Sequence, residues 1–133
     1  MGLDMYTYRT SVNFSKPVDF QDEIYMLSEN DEDAYTEIAY WRKHPNLHGW
    51  MEDLYYKKGG VKESFNCVPV ELELEDLVNL EIAIKEKTLP HTSGFFFGES
   101  GTDKESIKQD LKFIKDAKDA IAEGDRVFYD SWW

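Results

Sequence analysis

A single cysteine, Cys67, stands among 133 residues. No intramolecular disulfide can form, and a reducing, cytoplasmic location is expected. Basic residues are also scarce: 15 Lys and Arg face 27 Asp and Glu, a net charge of −12. Such a chain repels polyanions overall, which excludes a protein that grips duplex nucleic acid through its phosphates. No run approaches the roughly 18 apolar residues of a membrane-spanning helix. The opening Met1-Gly2-Leu3-Asp4-Met5 has neither a basic nor an apolar leader stretch, so no secretory signal and no membrane partner is expected. Tyr6 stands where an N-myristoylation pattern needs Ser or Thr. Prolines and glycines are too few and too scattered to build a linker, and there is no internal repeat. One domain over residues 1–133 follows.

What is present is apolar and aromatic: 41% and 15% of residues, enough for a core without staples. Charge is uneven. Between Lys16 and Arg42 there is no cation, while Asp19, Asp22, Glu23, Glu29, Asp31, Glu32, Asp33 and Glu37 all fall there. This predicts an acidic excursion at about 15–36, read either as a solvated loop or as a surface for a basic partner. Strands are expected at Met5–Arg9, Glu37–Trp41, Cys67–Leu72, Gly94–Gly98 and Arg126–Trp132, from alternation, ring content and bounding glycines. Pro45 suits the first turn of a helix running to about Tyr56 and stopped by Lys57-Lys58-Gly59-Gly60. A second helix spans Leu74 to about Lys87. In the third, at about 103–123, Ile107, Leu111, Ile114, Ala117 and Ile121 recur at the spacing of an apolar stripe, with Gly124 as cap. The fold class is therefore α+β: one sheet of four to five strands with about three helices packed on it.

The opening Gly2-Leu3-Asp4-Met5-Tyr6, the run Ile38-Ala39-Tyr40-Trp41-Arg42-Lys43 followed by Asn46, His48 and Trp50, the segment Leu89-Pro90…Ser93-Gly94-Phe95-Phe96-Phe97-Gly98, and the closing Tyr129…Ser131-Trp132 resemble a group of small proteins found in phages and prophages. The similarity spans nearly the whole chain apart from the acidic excursion. It implies a phage or phage-derived setting, and hence the cytoplasm of a host cell. Some members carry a kinase-like label, which this chain does not support: it has no Gly-x-x-x-x-Gly-Lys loop and is too short for a two-lobed sugar-acid kinase. His91 stands where the group would place a small hydroxyl residue, which argues against a role for it.

Arg42, Lys43 and Asn46, with Trp41 and Trp50, form the leading candidate site. Arg can grip a phosphate with two parallel N–H donors, Lys adds a point charge, and a ring can stack on a base. A helix start would add backbone donors. His48, Ser93 and Tyr129 complete the candidate ligand-binding set. The competing reading makes Trp41 and Trp50 core and pairs Arg42 with a carboxylate. His44, His48 and Glu52 have a spacing that could suit a metal, but Pro45 pushes His44 out of the helix, and no paired-ligand motif is present, so no metal or cofactor is expected. Cys67 lacks a catalytic signature and reads as a small buried hydrophobe. Gly98 to Thr102 reads as a loop with a helix cap rather than a phosphate cradle, because Glu99 opposes an anion. Phe95, Phe96 and Phe97 and Trp132-Trp133 are either core or an exposed patch, in which case a homodimer is the expected assembly.

The composite expectation is a non-enzymatic binding protein of phage origin. Its partner would be a small anionic, ring-bearing ligand such as a host immune signalling nucleotide. The alternative is an acidic inhibitor that imitates the charge of DNA and binds a host defence protein. A nucleotide-processing enzyme ranks third.

Overall fold

The computed structural model describes residues 2–30, 34–92 and 104–133. Within them the order is β1 (Asp4–Thr10), α1 (Gln21–Asn30), β2 (Thr36–Arg42), α2 (Pro45–Lys57), β3 (Val70–Leu72), α3 (Leu74–Glu86), α4 (Lys104–Ala122) and β4 (Arg126–Trp132). The strands form one antiparallel sheet in the order β2-β1-β4-β3. The class is α+β, with one helix more than expected. That helix, α1, occupies part of the stretch read as an excursion. The expected strand at Gly94–Gly98 lies outside the described residues.

Strand alternation sets two faces. Met5 and Thr7 of β1 stand opposite Ser131 and Tyr129 of β4, and opposite Trp41 and Ala39 of β2. Val70 and Leu72 of β3 pair with Tyr129 and Val127 on the same face. This face meets Leu47, Met51, Leu77, Leu80, Phe113, Ile114 and Ala117 of α2, α3 and α4 in one hydrophobic core. Helix α4 packs against α3 and the sheet, as its stripe predicts, but its buried residues are Asp110, Phe113, Ile114, Ala117 and Ala120. Ile107, Leu111 and Ile121 are partly buried at the stripe's margins.

Helix ends follow local chemistry. Pro45 opens α2, and Gly59 closes it at φ +100°, a conformation that is costly for other residues. Glu73 and Asp76 form a capping box at the start of α3. Lys58, beyond the end of α2, donates to Asp76 and to the Glu71 carbonyl, which ties α2 to the entry of α3.

Two expectations change. Residues 17–20 are structural: Val18 bridges Val70, Glu71 N–H donates to the Pro17 carbonyl, and Val18 and Phe20 are buried. The chain before α1 thus covers the free edge of β3. The expected strand at Cys67–Leu72 begins pairing at Val70. Cys67 is exposed in the left-handed region (φ 61°), with its N–H on the Ser131 carbonyl. It is a turn residue, not a buried hydrophobe.

Phe20 stacks on Phe14 and sits edge-on to Phe128 on the outer face of the sheet. Phe20→Ala should therefore cost about 3–5 kcal/mol, the usual range for a buried Phe. Urea unfolding measures it, and a loss under about 0.5 kcal/mol would show that the segment does not anchor the outer face of the sheet.

Candidate functional site

The junction between β2 and α2 is built around a proline. Pro45 fixes the first turn of α2 and keeps the preceding residue out of the helical region, so His44 sits at φ −115°, ψ 70°. Lys43 before it is held at φ 57°, a left-handed conformation uncommon for a non-glycine residue, with its N–H on the Leu3 carbonyl. Trp41 faces the core and donates from Nε1 to Asp110 Oδ1 at 2.9 Å. His44 Nε2 lies 2.9 Å from the other oxygen, Oδ2. Facing a carboxylate, that nitrogen is the donor. Asp110 is 4% exposed, so a buried carboxylate is held between an indole and an imidazole.

Above this floor lies a cavity of about 220 Å³ between the end of β2 and the first turns of α4. Tyr40, Arg42 and Lys43 line one wall, Ser106 and Gln109 the other. Gln109 Nε2 donates to the Tyr40 carbonyl at 3.0 Å and ties the walls together. Tyr40 donates its hydroxyl to Asp4 at 2.6 Å. Arg42 is exposed, and its guanidinium stands 4.0 Å from the same carboxylate, a surface pairing worth little. Lys43 is exposed and makes no ion pair among the described residues.

Trp41, Arg42 and Lys43 thus meet at one cavity, and the other candidates lie elsewhere. Asn46 Oδ1 accepts the Thr92 N–H at 3.0 Å and anchors residues 90–92. His48 Nδ1 and the Tyr129 hydroxyl form a 2.6 Å hydrogen bond inside the core, beside Phe65 and Trp133. Burial holds the His48 imidazole neutral, its pKa lowered to about 4, and pushes the Tyr129 phenol well above its ordinary value. Fully buried, Tyr129 offers no stacking face, and His48 no ligand surface. Trp50 is half-buried against the core and does not line the cavity. Ser93 lies outside the described residues.

Asp110, Ser106 and Gln109 were not anticipated. Asp110 was legible: it falls three residues after Ile107 and four before Ile114, a carboxylate inside an apolar stripe. A row of cations was legible too. Lys104, Lys108, Lys112 and Lys115 flank a shallow depression floored by Ile107 and Leu111. Among the described residues no group of three or more His, Cys, Asp and Glu side chains is placed to hold a metal ion.

On the opposite sheet face Asp130 is recessed, and burial raises its pKa to about 6. No family model, curated protein or solved structure matches the chain.

Asp130 keeps its proton to about pH 6 in the folded state and releases it near 3.8 when unfolded. Its contribution is therefore fully present below about pH 4 and lost as pH rises to about 6. His48 acts in the opposite sense: its contribution is present above 6.5 and lost as pH falls towards about 4. Asp130→Asn should raise stability at pH 7 by on the order of 1–3 kcal/mol, at about 1.36 kcal/mol per pKa unit. It should also leave the rising slope of His48 exposed between pH 4 and 6. Urea unfolding across that range is the measurement, and a profile like that of the parent chain would disprove the burial penalty.

Gly49 lies inside α2, where Gly→Ala ordinarily stabilises by up to about 1 kcal/mol. Here an added Cβ would come 1.9 Å from Thr92 Oγ1. Gly49→Ala should instead destabilise by roughly 1–3 kcal/mol, as overpacking does. A rise in melting temperature would show that residues 90–92 move aside freely.

Proposed function

We propose that the chain is a non-enzymatic binding protein of phage origin. Its ligand is a small anionic, ring-bearing molecule of the nucleotide class, taken in the groove between β2 and α4. Capture of a host immune signalling nucleotide is the biological role this reading carries. The observation behind it is the convergence of Arg42 and Lys43, two cations in a chain of net charge −12, on one cavity whose other wall is tied to theirs.

Arg42 is tethered loosely enough to turn from Asp4 to a phosphate, which it can grip with two charge-assisted hydrogen bonds. Lys43 is fixed in position by a backbone conformation of the kind that concentrates at ligand clamps. The cavity is smaller than the roughly 300–1,000 Å³ of pockets for drug-sized ligands, so it suits the phosphate end of a nucleotide. The ring would then lie over Tyr40, which lines the groove.

Calorimetric titration against mono-, di- and cyclic nucleotides tests this. Arg42→Ala should weaken binding by about 1.5–3 kcal/mol, the worth of a hydrogen bond to a charged group, with a smaller change in stability. Arg42→Lys should restore binding only in part, because an ammonium has no planar fork of donors. Absence of binding by any nucleotide, or loss of folding in Arg42→Ala, would refute the reading.

A further inference from the structure

The sheet face turned away from α2, α3 and α4 has two halves. At one end Phe14, Phe20 and Tyr35 lie on Phe128 and cover it. The other end is open. There the register sets Tyr6 between Tyr40 of β2 and Asp130 of β4, and Asp4 between Arg42 and Trp132. Tyr6 stacks with Tyr8 at 5.9 Å and meets Tyr40 at 5.1 Å, so the rings form a continuous platform. Glu37 stands opposite Tyr8 on the same face. Trp132 is 64% exposed and Tyr40 39%.

Three carboxylates, Asp4, Glu37 and Asp130, therefore sit among four rings, those of Tyr6, Tyr8, Tyr40 and Trp132. Arg42 is the one cation that the register places at this end of the face among the described residues; Arg126 lies at the other end, bound to Asn13 and 3.6 Å from Glu71. Ring faces attract cations through their quadrupoles, and carboxylates beside them add charge. An exposed aromatic patch of this kind marks an interface.

We infer that this open half is a docking surface for a basic segment of a partner protein. Arginine or lysine side chains of that segment lie over Tyr6, Tyr40 and Trp132 and pair with Asp4, Glu37 and Asp130. Charge decides the occupant. A second copy of this chain would bring like carboxylates together in a protein of net charge −12, which opposes self-association through this face. The surface borders the nucleotide groove at Tyr40 and Arg42, but Trp132 lies two strands, roughly 10 Å, from β2 and outside the groove.

The probe is a fluorescein-labelled octa-arginine peptide, with octa-glutamate as its control, followed by fluorescence anisotropy. Octa-arginine should bind and octa-glutamate should not. Trp132→Ala leaves net charge unchanged, and its exposure makes it safe for folding, which a melting curve checks. It should weaken octa-arginine binding at least fivefold. Glu37→Gln/Asp130→Asn should weaken it at least fivefold more than Asp53→Asn/Glu86→Gln, which removes the same two charges from the helical layer. Equal losses in the two double variants, with no loss in Trp132→Ala, would overturn the inference in favour of nonspecific attraction. So would a dimer in sedimentation equilibrium that Trp132→Ala dissolves, because the face would then belong to a second copy. Nucleotide binding should survive Trp132→Ala, so failure of this surface and failure of the groove are read separately.

Discussion

A single buried carboxylate organises the end of the molecule where β2, α2 and α4 meet. Asp110 would be costly in the core if left alone, since a charge without partners pays several kcal/mol in desolvation. It is satisfied from two directions, by the Trp41 indole at the end of β2 and by the His44 imidazole at the start of α2. That arrangement fixes α4 against the β2–α2 junction. It also explains why the backbone tolerates Lys43 in a left-handed conformation: with Trp41 and His44 both drawn to the same carboxylate, and the Lys43 N–H committed to Leu3, the turn between them has little freedom. The groove beside Arg42 exists because these three elements are held at that spacing.

The sheet divides the remaining chemistry. Its inner face is largely apolar, with the Tyr129 hydroxyl bonded to His48 of α2. Its outer face is aromatic and acidic, half covered by the chain leading into α1 and half open. Burial shifts two titrating groups, His48 downward and Asp130 upward in pKa, so their effects on stability have opposite dependence on pH and offset each other over a shared range.

Helices α2, α3 and α4 and the long strands were legible because their signals are local. Pro45 and Gly59-Gly60 bracket α2, and a clean 3.6-residue stripe marks α4. Helix α1 was hidden by charge: Asp22, Glu23 and Glu29 read as a solvated loop, although Ile24 and Leu27 keep a helical spacing beside the buried Phe20. The short strand β3 was drawn too long because the apolar stretch from Cys67 to Val70 packs as a turn and an irregular approach rather than a ladder. Of the candidate site, the neighbours Trp41, Arg42 and Lys43 could be found because they are adjacent in sequence. Their partners Ser106, Gln109 and Asp110 lie more than 60 residues away, and only the tertiary fold brings them together. His48 and Tyr129 were misassigned for the same reason, since residue type alone does not distinguish a buried polar pair from a binding surface.

The pairing of β1 with β4 has a kinetic meaning. These two strands form the centre of the sheet, yet they are the first and last elements of the described chain, with Asp4 opposite Trp132. The loop-closure entropy of that pairing must be met before its contacts can reward it, and topologies dominated by such distant contacts fold slowly. During synthesis β1 must wait for its partner at the centre of the sheet until β4 has been made. A strongly acidic chain repels its own kind during that wait, so the same charge that shapes the mature surface also shields the half-made sheet from its neighbours.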